Sequence, residues 1–331
     1  MKRLLLAVMT SFCVSVNASE GDVAIAIHGG AGTITKANLS SEQETQYKDT
    51  LKTAITAAYS QLQAGASSLE AVQTAIVMLE DSPLFNAGKG AVYTYNGGHE
   101  LDASVMDGKT LNAGAIAGVK TIKNPISLAI DVMNKSPHVM LSGIGAEQFA
   151  ESLGYEQVDN GYFDTPFRHA AWQRFMAEQK RDKQAYRGAI NRADYKFGTV
   201  GAVALDKQGN IAAGTSTGGM TGKRWGRVGD SPVIGAGTYA NNESCAVSAT
   251  GHGEFFIRYN VAATICARMQ YANESLQQSA ETVINKTLKS VGGDGGVVAL
   301  DKQGNIAMPF NTEGMYRASI DKSGKISVSI Y

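Results

Sequence analysis

Cysteine is scarce: three in 331 residues, at positions 13, 245 and 266. So few exclude a disulfide-built scaffold. An excess of one charge is missing too. Thirty Lys and Arg face thirty Asp and Glu, which leaves no basic surface for nucleic acid or an anionic membrane. The five histidines, at 28, 99, 138, 169 and 252, have no metal-ligand spacing, and neither a zinc-protease nor a Walker A sequence occurs. No catalytic metal or nucleotide cofactor is therefore expected. Proline is down to six against 37 glycines without a collagen-like period, so the glycines serve tight turns and close backbone approach.

What is present is a large apolar fraction, 44% of the chain, enough for one large domain or two small ones. The first residues read as an export signal. Lys2 and Arg3 precede an apolar stretch from Leu4 to Val16 that is too short for a membrane span, and Val16-Asn17-Ala18 offers small residues to a signal peptidase. Cleavage after Ala18 and export to a bacterial periplasm are expected. Cys13 would be lost, and Cys245 and Cys266 are read as two buried thiols, with pairing in an oxidising compartment the alternative.

Hydrophobic spacing predicts a strand over 23–27 that runs into His28-Gly-Gly-Ala-Gly32. Helices are predicted over 40–63, with Ser41 and Glu44 as a capping box, and over 67–80. Strands at 101–106 and 113–119, a helix at 125–135, a strand at 138–141 and a helix at 143–153 follow. Residues 159–196 are polar, charged and aromatic without a sustained apolar face, and read as a mobile linker. The compact pattern resumes at Gly198. The nonapeptide Ala204–Ala212 recurs identically at Ala299–Ala307, each copy a strand, an Asp-x-x-Gly turn and a strand, with a third such turn at Asp321–Gly324. Helices are predicted over 253–270 and 274–288. Hairpins argue for two antiparallel sheets with helices packed outside.

Two motifs mislead. Gly214-Thr-Ser216-Thr-Gly218 matches a hydrolase nucleophile elbow, with Asp230 and His252 following in order, but the glycine-rich 219–226 cannot supply the helix the elbow needs. Gly235-Ala-Gly237 fits a dinucleotide fingerprint by letter only. The remaining candidate is Gly198-Thr199, after the linker and before a buried strand. A threonine at a strand start is unremarkable by itself. Cut before Thr199, however, the chain would place a new α-amine, titrating near pH ~8, beside the hydroxyl as its base. Thr217 and Thr250 stand at strand ends, each followed by glycine, and Gly251 and Gly253 leave N–H groups open for an oxyanion. Arg227 and Asp230, three residues apart in a glycine-proline loop, suit a zwitterion or a solvated loop ion pair.

Together these segments resemble the plant-type asparaginase and isoaspartyl aminopeptidase family of N-terminal-nucleophile (Ntn) hydrolases. The resemblance rests on His28–Gly32, Phe85-Asn-Ala-Gly88, His99–Ser104 with Met106-Asp-Gly108, Gly198–Val203, Thr215–Gly219, Gly226–Pro232 and Thr250-Gly251. It implies an α/β, four-layer αββα sandwich. It implies an α subunit (19–198) and a β subunit (199–331) made by cleavage at Gly198–Thr199, assembled as a dimer of such heterodimers. Thr199 would be the nucleophile, Thr217 its orienting partner, and Thr250 and Gly251 the oxyanion hole. Arg227 and Asp230 would grip the substrate's α-carboxylate and α-ammonium, with Gly253 and Asn86 beside them. Backbone carbonyls of Leu79, Glu80, Ser82, Phe85, Ala87 and Lys89 would hold a structural sodium. The substrates implied are isoaspartyl dipeptides and asparagine. Glycosylated asparagine is the alternative, and Arg224 and Trp225 stand where the substrate rim departs from the family pattern.

Overall fold

The computed structural model describes residues 21–181 and 198–331. Residues 1–20, where the expected export signal falls, and the stretch from 182 to 197 lie outside them. Two sheets stack face to face. The larger has eight strands in the order β12-β11-β1-β5-β6-β2-β3-β4, the smaller four in the order β10-β9-β8-β7. In chain order they are β1 Ala24–Gly32, β2 Leu101–Asp107, β3 Ala113–Val119, β4 Met140–Ser142, β5 Val200–Leu205, β6 Ile211–Thr217, β7 Thr238–Ala240, β8 Ala246–Gly251, β9 Gly295–Leu300, β10 Ile306–Ala307, β11 Gly314–Ile320 and β12 Ile326–Ser329. The small sheet is antiparallel. The large sheet departs from the antiparallel expectation at one edge, where β4 pairs parallel to β3. The helix Pro125–Lys135 crosses between them, long enough to return the chain in the same direction.

Strand alternation builds the layers. Ile25 and Ile27 of β1 point to an outer core shared with helices α1 (Ser41–Gln63), α2 (Ser68–Glu80) and α3 (Pro125–Lys135). Ala24 and Ala26 point inward to a thin core between the sheets, with Ala213, Ala246 and Val298. On the far side Val247 and Ala249 meet helices that carry Phe256, Ile265 and Ile284. The order helix, sheet, sheet, helix is the αββα sandwich.

Local chemistry explains the boundaries. Ser40, not Ser41, caps α1: its hydroxyl takes the Gln43 N–H at 3.1 Å, and the Gln43 side chain returns to the Ser40 N–H at 3.0 Å. The box lies one residue earlier than the sequence spacing suggested, because glutamine serves as well as glutamate at the third helical position. Ser67 and Glu70 do the same for α2. All three Asp-x-x-Gly turns are built alike, with Asp206, Asp301 and Asp321 each accepting two backbone N–H groups on one carboxylate oxygen. The helix expected over 253–270 is two, Gly253–Tyr259 and Val261–Ala272, broken by left-handed Asn260. The last helix begins at Leu276 and widens into a π-helical stretch over Thr282–Leu288.

Two expectations fail. Residues 166–181 are not linker but helix α5 (Pro166–Arg181). Thr165 offers its hydroxyl to the Arg168 N–H and Pro166 starts the first turn. The helix is held by a few anchors rather than an apolar stripe: buried Phe175 and Arg168, and Trp172 stacked on Tyr93. Cys245 and Cys266 are not thiols but a disulfide joining β8 to helix Val261–Ala272. The strand and helix pack so closely in their shared core that the two sulfurs meet.

Glu80 ends α2 fully buried. Its Oε1 accepts the Ser216 hydroxyl at 2.6 Å and the Ile126 N–H at 3.0 Å. Burial pushes its pKa up to about 8, against those two bonds. Below the ordinary value of 4.5 the carboxyl is protonated folded or unfolded, so it adds no pH dependence there. Between that value and about 8 only the folded chain keeps the proton, and stability falls as pH rises through the window. A Glu80→Gln variant is expected to lose less melting temperature than wild type between pH 5 and pH 8. Calorimetry at the two pH values checks this, and equal losses would refute it.

Candidate active site

Strand β5 lies between β1 and β6. Its antiparallel register with β6, Val200 opposite Ser216, sets Thr199 level with Thr217. The Thr199 hydroxyl donates to Thr217 Oγ1 at 3.0 Å, and the Gly219 N–H donates to the same oxygen at 3.0 Å. Ser216, the serine of the misleading elbow, points to the other face and is spent on Glu80.

The residue before Thr199 has to be glycine. Gly198 has φ +107°, and Gly30 (φ +111°) approaches so closely that a Cβ there would lie 2.4 Å from Gly198 Cα. The Gly198 carbonyl accepts the Asn86 N–H at 2.9 Å. Asn86 also reaches across the cleft. Its Nδ2 donates to Gly219 O at 2.7 Å, and its own carbonyl accepts the Gly218 N–H. It thus ties the end of the upstream segment to the loop that carries Thr217.

A narrow pocket gathers Thr199, Thr217, Gly219, Met220, Arg227, Gly229, Asp230, Ser231, Gly251 and His252. Five of the sequence-selected residues meet there. Gly253 stands directly behind it: a Cβ would fall 2.9 Å from both Arg227 Nη2 and Asp230 Oδ1, so the missing side chain lets the two charged groups converge. Thr250, buried beside Gly251, accepts the Ala31 N–H on its hydroxyl at 3.3 Å. A larger cavity of about 420 Å³ adjoins this pocket, sharing Gly251 and His252, and is lined by residues 31–33, Asp294 and residues 311–313.

The charges are set by burial and by one another. Asp230 is buried, and its Oδ2 has no hydrogen-bond partner among the described residues. Burial pushes its pKa up to about 7, although nearby Arg227 pulls the other way. Arg227 is gripped by Glu254 through two bonds of 3.0 Å. Burial opposes its charge, but the Glu254 carboxylate outweighs burial and raises its pKa. Glu254 in turn stays ionised well below the usual carboxylate range: burial opposes this, and His252 and Arg227 overcome it. Sequence reading missed Glu254. The available signal was an arginine in a loop needing a carboxylate, with a glutamate one residue after Gly253.

In the stretch 79–90 the backbone carbonyls of Glu80 and Phe85 lie against glycines. A Cβ on Gly88 would lie 2.4 Å from the Glu80 oxygen, and one on Gly90 would lie 2.0 Å from the Phe85 oxygen. A carbonyl-lined cradle open only because these positions lack side chains fits a hard cation such as sodium. Arg224, at the rim, lies 3.4 Å over the Tyr95 ring, and Trp225 is 86% exposed.

An asparaginase family model matches residues 21–330. The chain is 51% identical over 300 residues to an isoaspartyl peptidase of Escherichia coli (strain K12), covering 90% of this chain and 92% of that one. It is 52% identical over 296 residues to an isoaspartyl peptidase of Salmonella typhimurium, covering 89% and 94%. It is 39% identical over 307 residues to an isoaspartyl peptidase/L-asparaginase of Mus musculus, covering 92% and 90%.

Proposed function

We propose, given that the chain belongs to the asparaginase family of Ntn hydrolases, that it is a self-cleaving threonine amidohydrolase that releases aspartate from isoaspartyl dipeptides and from asparagine. The observation that carries this reading is the pairing of Thr199 Oγ with Thr217 Oγ at 3.0 Å in a pocket shared with Arg227 and Asp230. Cleavage after Gly198 frees the Thr199 amine. That amine takes the hydroxyl proton as Thr199 Oγ attacks the side-chain carbonyl carbon, then passes it to the leaving amine. Arg227 holds the α-carboxylate. Asp230, with one oxygen unpaired, holds the α-ammonium. Thr250 and Gly251 face the developing oxyanion. Water then releases aspartate from the Thr199 ester. The adjoining cavity takes the leaving residue of a dipeptide.

The alternative substrate, glycosylated asparagine, carries the same α-carboxylate and α-ammonium and would place its sugar in the same cavity; no observation favours it. Sodium in the carbonyl cradle serves structure and enters no step. The disulfide supports export to an oxidising compartment, consistent with signal cleavage after Ala18. The mature enzyme is then an α subunit (19–198) and a β subunit (199–331), assembled as a dimer of heterodimers.

Intact-mass measurement after expression of the full chain, alongside an aspartate-release assay, tests the reading. Two fragments beginning at Ser19 and Thr199 are expected, with release from both substrates. A fully active single chain would overturn it.

A further inference from the structure

Five fully buried polar side chains on strand faces that meet between the two sheets touch one another: His28 of β1, Ser104 of β2, Thr215 of β6, Thr238 of β7 and Ser248 of β8. They form one connected chain. His28 Nδ1 is 3.1 Å from the Thr199 carbonyl oxygen, and Nε2 is 3.0 Å from Ser248 Oγ. Ser248 Oγ is 2.7 Å from Thr215 Oγ1, which is 2.6 Å from Thr238 Oγ1. Ser104 Oγ completes the run, 2.8 Å from Thr238 Oγ1 and 2.5 Å from the Ser231 carbonyl.

The direction of the protons from Thr238 to His28 follows. A carbonyl only accepts, so His28 Nδ1 carries a hydrogen and donates to Thr199 O. Burial pushes the His28 pKa down to about 3, so the ring is neutral and Nε2 has a bare lone pair. Ser248 must donate to it. Thr215 must then donate to Ser248 rather than to the Gly237 carbonyl 3.0 Å away, and Thr238 to Thr215. Ser104 has one proton for both Thr238 Oγ1 and the carbonyl of Ser231, the neighbour of Asp230, so the fixed directions run from Thr238 to the backbone of Thr199.

We propose that this buried chain positions the nucleophile, Ser248 acting through His28 to fix the Thr199 carbonyl. The proposal rests on Thr199 being the nucleophile. Thr199 Cα carries a hydroxyl-bearing side chain, a carbonyl and, after the cut, a free amine. Thr217 fixes the first and His28 the second, so the third can point only one way. Without the Ser248 proton, the buried Nε2 lone pair has no donor and the His28 ring is held at Nδ1 alone, so it can tilt and let the Thr199 carbonyl move with it. His28, Ser248, Thr215, Thr238 and Ser104 are positioning residues: none of them lines the substrate pocket.

The test uses the self-cleaved enzyme, with rates expressed per cleaved chain. Histidine-labelled protein, with five imidazoles in the full sequence, reports the ring tautomer by long-range ¹H–¹⁵N spectra, with His28 identified by its loss in His28→Asn. Wild type is expected to hold the hydrogen on Nδ1. In Ser248→Ala the hydrogen stays on Nδ1 while the Nε2 resonance shifts with the loss of its hydrogen bond, kcat falls at least about tenfold and KM stays within about twofold. Thr215→Val, which keeps the shape but not the hydroxyl, lowers kcat about threefold or more, and Thr215→Ser restores most of it. An unshifted Nε2 resonance with unchanged kcat in Ser248→Ala overturns the proposal, as does Thr215→Ser as impaired as Thr215→Val. Should Ser248→Ala not fold, the Thr215 pair decides. An active Thr199→Ala would instead sink the nucleophile assignment beneath it.

Discussion

Thr199→Ala is expected to remain a single uncut chain and to lose aspartate release by about 10⁴-fold or more. The substitution removes the oxygen that attacks and, because no cut follows, the amine that would take its proton. Both losses have one cause, so they should not be separable in this variant. Thr199→Ser separates them. It keeps the hydroxyl and the Thr217 partner but drops the methyl that limits side-chain rotation, so slow cleavage and reduced but measurable turnover are expected. Intact mass and a coupled aspartate assay on the same samples check both outcomes. Rapid turnover by uncut Thr199→Ala would end the N-terminal-nucleophile reading.

The second large effect concerns Asp230. Its carboxyl titrates near 7 because it is buried, with Arg227 only partly compensating. Below that pH it is neutral and cannot pair with an ammonium. This ionisation alone should lower kcat/KM about tenfold per pH unit on the acid side of 7. The Thr199 amine, at ~8 in its ordinary state, must also be deprotonated, so the combined fall below 7 is about a hundredfold per unit. At saturation the bound ammonium keeps Asp230 charged, and the limb near 7 should vanish from kcat. Asp230→Asn is expected to lower kcat/KM by about 10²–10³-fold, mostly through KM. It should erase the limb near 7 while the amine's limb persists. A pH–rate profile of the variant superimposable on wild type would refute the assignment.

The layers were legible in the sequence wherever one periodicity ran undisturbed. Strand β1, helices α1 and α2 and the three aspartate turns carry their signals within a few residues, and the structure places them where the spacing puts them. Helix α5 was not legible. Its stability comes from Arg168, Trp172 and Phe175 docking on distant segments, and no apolar stripe announces it. The disulfide was hidden for a related reason: pairing depends on where β8 meets a helix twenty residues later, not on spacing. At the site, Thr199, Thr217, Arg227 and Asp230 stand out by residue type together with the family resemblance, and the structure gathers them in one pocket. Glu254 and the hydroxyl chain behind Thr199 could not. Serine and threonine inside strands look like filler until the register shows which of them face the same gap.

The order of strands in the large sheet has a kinetic consequence. Strands from before the Gly198–Thr199 bond, β1 and the β2-β3-β4 group, alternate with strands from after it, β12-β11 and β5-β6. Severing that bond therefore frees neither piece, because each is hydrogen-bonded on both sides of the other. What the cut does change is the route back from denaturation. Before it, one molecule folds at a rate independent of concentration. After it, two chains must find each other and interleave, so renaturation becomes second order and slows on dilution. If the proposed cleavage occurs, the uncut chain is the form in which this sheet assembles readily, and the cut enzyme would be committed to its first successful folding.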